Sequence, residues 1–131
     1  MKKTAIYARS QDIDSERDDV YRQISFCLAQ TGSTDVEIYQ DLGSGMRKDR
    51  PELNRMMNDI RAGKIQCVVT ESIVRLCRDI IYLSELLREM DFHGCTFLSL
   101  VEGIDTKEDH RHNQEDAIYQ LFAAFERRKV S

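Results

Sequence analysis

Residues 65–101 read IQCVVTESIVRLCRDIIYLSELLREMDFHGCTFLSLV, and this stretch decides the fold. It opens on the β-favouring run Ile65–Thr70 and closes on a second one, Thr96–Val101. Both are short and apolar, with polar or glycine residues at their borders, as buried strands are. Between them Ile80, Leu83, Leu87 and Met90 recur at the spacing of one helix face. Gly94 follows that stripe, where a C-terminal glycine cap belongs. Strand, helix and strand in this order make a parallel crossover unit.

The alternation continues upstream. Thr4–Ala8 and Val36–Tyr39 read as strands. Val20, Ile24, Cys27 and Leu28 form one helical stripe, and Leu53, Met56, Met57 and Ile60 form another. Gly32 and Gly63 follow these stripes. The order predicts an α/β fold over residues 1–112: a three-layer domain whose mostly parallel sheet of four to five strands is flanked by helices. Ligands of such sheets sit at the carboxyl ends of the strands. Those ends are the loops 9–15, 40–50, 71–78 and 102–112.

Residues 113–131 predict a trailing C-terminal helix. Ala117, Ile118, Leu121, Phe122 and Phe125 share one side, and Glu126-Arg127-Arg128-Lys129 follow. Three roles stay open for it: packing on its own domain, a dimer arm, or a link to a further segment. The sequence stops within a run of charges, which reads as a cut.

A chain of 131 residues has room for one core. The formal net charge of −4 argues against gripping nucleic acid through bulk positive charge, and leaves a local basic site open. No apolar run reaches the roughly 18 residues that span a bilayer, and MKKTAIYAR meets Arg9 too early for a signal peptide. The protein reads as cytoplasmic, with no membrane partner. Cys27, Cys67, Cys77 and Cys95 show no CxxC spacing, so they read as reduced thiols in or near the core rather than as zinc ligands. No metal is expected.

Several arginines stand at the ligand edge. In MRKDRPEL, Pro51 suits the first helical position and makes Arg50 the N-cap. A cation is unfavourable at a helix start unless an anion is present. Arg78 poses the same problem before IIYLSELL, and Arg75 lies three residues earlier, on its side of a turn. Surface ion pairs to Asp49 or Asp79 would explain each alone. Together with Arg9 at a strand end, they describe a phosphate or sulfate site. Ser44, in DLGSG, adds a hydroxyl donor or is a plain turn serine. Neither GxxxxGK[ST] nor GxGxxG occurs. What remains is metal-free phosphoryl chemistry in which guanidinium groups stabilise the charge.

These motifs resemble the catalytic domain of the serine recombinases, the resolvase/invertase family with its large transposon and phage relatives. Tyr7-Ala8-Arg9 is similar to the family's opening, and Gln23 to a glutamine usual in its first helix. Asp41, Ser44, Gly45, Arg50 and Pro51 match its D-x-x-S-G and D-R-P. Arg75, Arg78 and Asp79 in VRLCRD match its D-R-L-x-R-D, and GIDT and AAFERRKV close the likeness, the latter similar to the family's A-x-x-E-R, which implies that residues 113–131 begin its long oligomerisation helix. The resemblance implies cleavage of DNA by a serine through a 5′-phosphoserine link, stabilised by arginines, with strand exchange in homodimers that synapse into tetramers. Arg9, Asp41, Ser44, Arg50, Arg75 and Arg78 would be catalytic, and Arg127, Arg128 and Lys129 would face DNA. No cofactor and no small-molecule substrate are implied. The separate C-terminal DNA-binding region of such proteins would be absent here.

One departure matters. The family's Y-x-R-V-S puts its nucleophile two residues after the arginine, where Gln11 stands. Residues two apart share a face of a strand, so in a straight strand Ser10 points away from Arg9. A bulge would turn Ser10 inward and make it the catalytic serine. Ser15 is a surrogate, or simply the N-cap of the first helix. Otherwise the nucleophile is lost, and the protein is a non-cleaving homologue that acts in assembly or regulation. Val74, where many members carry aspartate, points the same way.

Overall fold

The strand runs pair as one five-stranded sheet in the order β2-β1-β3-β4-β5. The computed structural model describes residues 2–10, 16–42, 50–107 and Ala123. Its elements are β1 (Lys3–Ser10), α1 (Glu16–Thr31), β2 (Val36–Leu42), α2 (Pro51–Arg61), β3 (Ile65–Thr70), α3 (Ile73–Leu76), α4 (Ile80–Phe92), β4 (Thr96–Ser99) and β5 (Ile104–Asp105). The first four strands pair in parallel, and β5 pairs antiparallel with β4. The chain steps outward from β1 to β2, then reverses direction through β3 to β4. Right-handed crossovers therefore place α1 on one face of the sheet, and α2 and α4 on the other.

The side chains of β1 record those faces by alternation. Ala5 and Tyr7 join the larger core with Leu53, Met56, Met57 and Ile60 of α2 and with Leu83, Leu86, Leu87 and Met90 of α4. Ile6 joins the smaller core with Cys27 of α1 and Val69 of β3. All four cysteines are free; Cys67 is half-buried and the others are buried. No helix among the described residues is long and apolar enough to cross a membrane.

Several boundaries differ from the sequence reading. Leu28 is 41% exposed, while Gln23 is fully buried on the inner face of α1. The strand expected over Thr96–Val101 ends at Ser99, because the chain turns at 100–103 and returns as β5. Gly103 sits in that turn at φ 68°, a left-handed conformation that favours glycine. Residues 71–78 are not a plain loop, since α3 lies within them. Asp79, not Arg78, is the N-cap of α4, and its carboxylate accepts from the Ile81 and Tyr82 amides at 3.0 and 3.4 Å. Arg78 therefore stands one residue outside the helix cap. The trailing helix expected over 113–131 lies outside the described residues, apart from Ala123, which is helical and exposed.

Candidate functional site

The direction of the sheet reverses at β1, so the segments leaving β1 and β3 diverge there. That crevice is where ligands of open parallel sheets bind. Arg9 stands in it, paired across the sheet with Asp41. Its side chain follows Tyr7 onto the α2–α4 face and is 1% exposed. Its Nε donates to the Arg75 carbonyl at 2.9 Å, and its Nη2 donates to the Val74 carbonyl. A cation thus closes the carbonyl end of α3, where the helix dipole favours one.

Arg50 is the N-cap of α2, as its place before Pro51 predicts. The missing anion is Asp41. Its carboxylate accepts from the Glu52 amide at 3.0 Å and the Leu53 amide at 2.9 Å, capping α2 from the end of β2. The Tyr7 hydroxyl donates to the same carboxylate at 2.8 Å. The Arg50 guanidinium lies 5.5 Å from the centre of the Tyr7 ring and donates through Nη2 to the Leu76 carbonyl. Arg50 is 2% exposed, yet its Nε and Nη1 have no hydrogen-bond partner among the described residues. Buried donors are rarely left unmatched, and an unmatched one costs about 1–3 kcal/mol.

Arg75 leaves the end of α3 toward the α1 face. It pairs with Asp19 at 3.1 Å and with Glu71 at 3.4 Å, and it donates to the Arg9 carbonyl at 3.1 Å. Gln23 fixes the strand end from α1, accepting from the Arg9 amide at 3.2 Å and donating to the Arg9 carbonyl at 3.0 Å. Arg78 is exposed at the rim.

Electrostatics tie the four arginines together. Burial first, then the charges of Arg50, Arg78 and Arg75, lower Arg9 to about 10 despite the Tyr7 phenol beside it. Burial, with Asp41 adding to it and Arg50 opposing it, pushes the Tyr7 phenol well above its ordinary value. Crowded cations of this kind are receptive to an anion, which relieves their repulsion.

The pairing of β1 with β2 runs unbroken through Ala8↔Gln40, Arg9↔Asp41 and Ser10↔Leu42. No bulge interrupts it, so Ser10 stands on the α1 face, opposite to Arg9. Ser10 is 2% exposed and its hydroxyl is hydrogen-bonded to Asp19. The structure thus brings Arg9, Asp41, Arg50, Arg75 and Arg78 to one edge and places Ser10 beneath α1. Gln11, Ser15, Ser44, Arg127, Arg128 and Lys129 lie outside the described residues. Asp19, Arg22 and Glu71 escaped the sequence reading, because charges on a helix and in a loop look like ordinary surface.

The sequence profile of the family described as "Resolvase, N terminal domain" matches residues 4–131. The chain belongs to that family. It is 33% identical over 73 residues to a probable DNA-invertase, y4cG, of Sinorhizobium fredii, covering 56% of this resolvase-family chain and 23% of the relative. It is 36% identical over 70 residues to the serine recombinase gin of Escherichia phage Mu, covering 53% of the chain and 35% of the relative. The chain thus spans well under half the length of these relatives. Among solved structures, the N-terminal catalytic domain of TP901-1 integrase superposes with a TM-score of 0.73 at 25% identity, covering 99% of this chain and 100% of that one. A resolvase family site-specific recombinase from Streptococcus pneumoniae gives 0.70 at 25% identity, covering 99% and 91%.

Proposed function

We propose that this domain acts in site-specific DNA recombination, and that its arginine cluster receives a phosphodiester of the DNA. The observation that carries the reading is the buried Arg50, whose Nε and Nη1 are unmatched among the described residues at the ligand edge of the sheet. The oxygens of a phosphate are charge-assisted acceptors for these two nitrogens. Arg9 and Arg78 add charge from β1 and the rim, and Ser44 adds a hydroxyl from the 43–49 segment. Strand transfer through a serine–5′-phosphate link follows if Ser10 reaches the phosphorus: its Oγ gives its proton to water and bonds to phosphorus, the bond from phosphorus to the 3′-oxygen breaks, that oxygen takes a proton from water and leaves as a hydroxyl, and the arginines stabilise the charge that develops on the phosphoryl oxygens. The recombining unit is a homodimer that synapses into a tetramer, with Arg127, Arg128 and Lys129 toward DNA.

A specific observation favours a second reading. Ser10 is buried on the face opposite to Arg9 and is bonded to Asp19. In that arrangement the cradle holds DNA without cutting it, and the domain works by assembly.

The experiment has two arms. Binding of a duplex at two salt concentrations is compared between wild type and Arg50→Ala; the proposal expects weaker binding and a shallower salt slope. A pool of randomised nicked duplexes is then searched for covalent adducts on a denaturing gel, with peptide mass mapping. An adduct on Ser10 supports cleavage. Binding that depends on Arg50 without any adduct supports the assembly reading. Binding indifferent to Arg50 sinks the cradle.

A further inference from the structure

A second charge cluster lies on the α1 face of the same crevice. Asp19, Arg22 and Gln23 stand at i, i+3 and i+4 on one side of α1. The Asp19 carboxylate accepts from Arg75 through Nη1 at 3.1 Å and Nη2 at 3.3 Å. It also accepts from Arg22 at 3.0 Å and from Gln23 at 3.1 Å. Glu71 pairs with Arg22 and lies 3.4 Å from Arg75 Nε. Every guanidinium nitrogen of Arg75 is therefore committed within the protein. Arg50 is the opposite case, with Nε and Nη1 unmatched among the described residues.

A carboxylate that takes both Nη atoms of an arginine occupies the edge that a phosphate would take. We propose that Asp19 is a positioning residue that holds Arg75 in reserve on α1, and that phosphate draws Arg75 away from Asp19 as it enters the cradle. This rests on the reading that the arginine cluster receives DNA phosphate. The linkage is reciprocal: whatever weakens the Asp19–Arg75 pair strengthens phosphate binding. Gln23 is bonded to Asp19 and to both backbone groups of Arg9, so it keeps α1 and β1 aligned when Arg75 departs.

Inorganic phosphate titrated into the 131-residue chain tests the idea. Asp19→Asn removes the charge and keeps an acceptor for Gln23; it is expected to bind phosphate at least about fivefold tighter than wild type. Loss of any nearby negative charge gives some gain, so the cycle is closed with Arg75→Ala. The gain shrinks to that general charge effect in the Arg75→Ala background if Asp19 acts through Arg75. A gain of the same size in both backgrounds, or no gain in the single variant, overturns the proposal. A readout without a variant is the Nε–Hε resonance of Arg75 in the wild-type chain. It moves as phosphate saturates; if it stays still while that of Arg50 moves, the proposal is again overturned. Failure of the cradle itself looks different: phosphate then binds Arg50→Ala as well as wild type.

Discussion

Arg50 and Asp41 are neighbours whose substitution separates binding from stability. Among the described residues the buried Arg50 guanidinium leaves Nε and Nη1 unmatched, which opposes folding and points to a ligand rather than to packing. Arg50→Met preserves bulk in the core, removes the buried charge and gives up one bond to the Leu76 carbonyl. It is expected to raise stability by about 1 kcal/mol in urea denaturation while it weakens DNA binding. Lower stability together with unchanged binding would make Arg50 a structural cation. Asp41 is the converse. It caps α2 through two amides and receives the Tyr7 hydroxyl. Asp41→Ala leaves those donors unmatched and is expected to cost about 3 kcal/mol, seen as a shifted urea midpoint. Tyr7→Phe removes only one of the three bonds and costs about 1 kcal/mol.

At the scale of elements, α4 shows which cap matters. Asp79→Ala should cost about 1 kcal/mol through the lost amide contacts, whereas Arg78→Ala should stay within about 0.5 kcal/mol. Thermal melting of the pair checks it, and equal losses would return Arg78 to the helix start. The same helix shows what a sequence can and cannot tell. Its stripe was legible because burial repeats at 3.6 residues, and the sheet was legible because four apolar runs alternate with such stripes. The arginines were legible because cations beside helix starts contradict the dipole. The true cap of α4 was ambiguous, since Arg78 and Asp79 are adjacent and boundaries shift by a residue. That Asp41 answers Arg50 was beyond reach, because the contact joins the end of β2 to the start of α2 across a fold that must first exist. The α1 cluster was hidden for the same reason: Asp19, Glu71 and Arg75 meet only when α1 and α3 converge on one strand end.

For the whole molecule, paired carboxylates couple the layers to pH. Asp19 ties α1 to the α3 segment, and Glu89 ties α4 to Arg61 of α2. Burial alone would raise the Asp19 carboxyl, but the hydrogen bond from Arg22, the charge of Arg75 and the Ser10 hydroxyl outweigh it and hold it below its usual value. The Arg61 hydrogen bond likewise holds Glu89 low, against a smaller effect of burial. A carboxyl lowered on folding adds stability that is complete above its unfolded value, about 3.9 for Asp and 4.3 for Glu, and that drains as pH falls through the folded value. The urea midpoint should therefore be flat from about pH 7 to 5 and fall below about pH 4. Asp19→Asn cannot take up that proton, so its midpoint should start lower at neutral pH and fall less steeply in acid. Added salt should weaken the wild-type midpoint at pH 6 more than that of Asp19→Asn, because the half-exposed Arg22 end of the cluster is open to screening. Parallel acid profiles for the two proteins would mean that Asp19 titrates alike in the folded and unfolded chain, and that the α1 cluster does not hold the layers together.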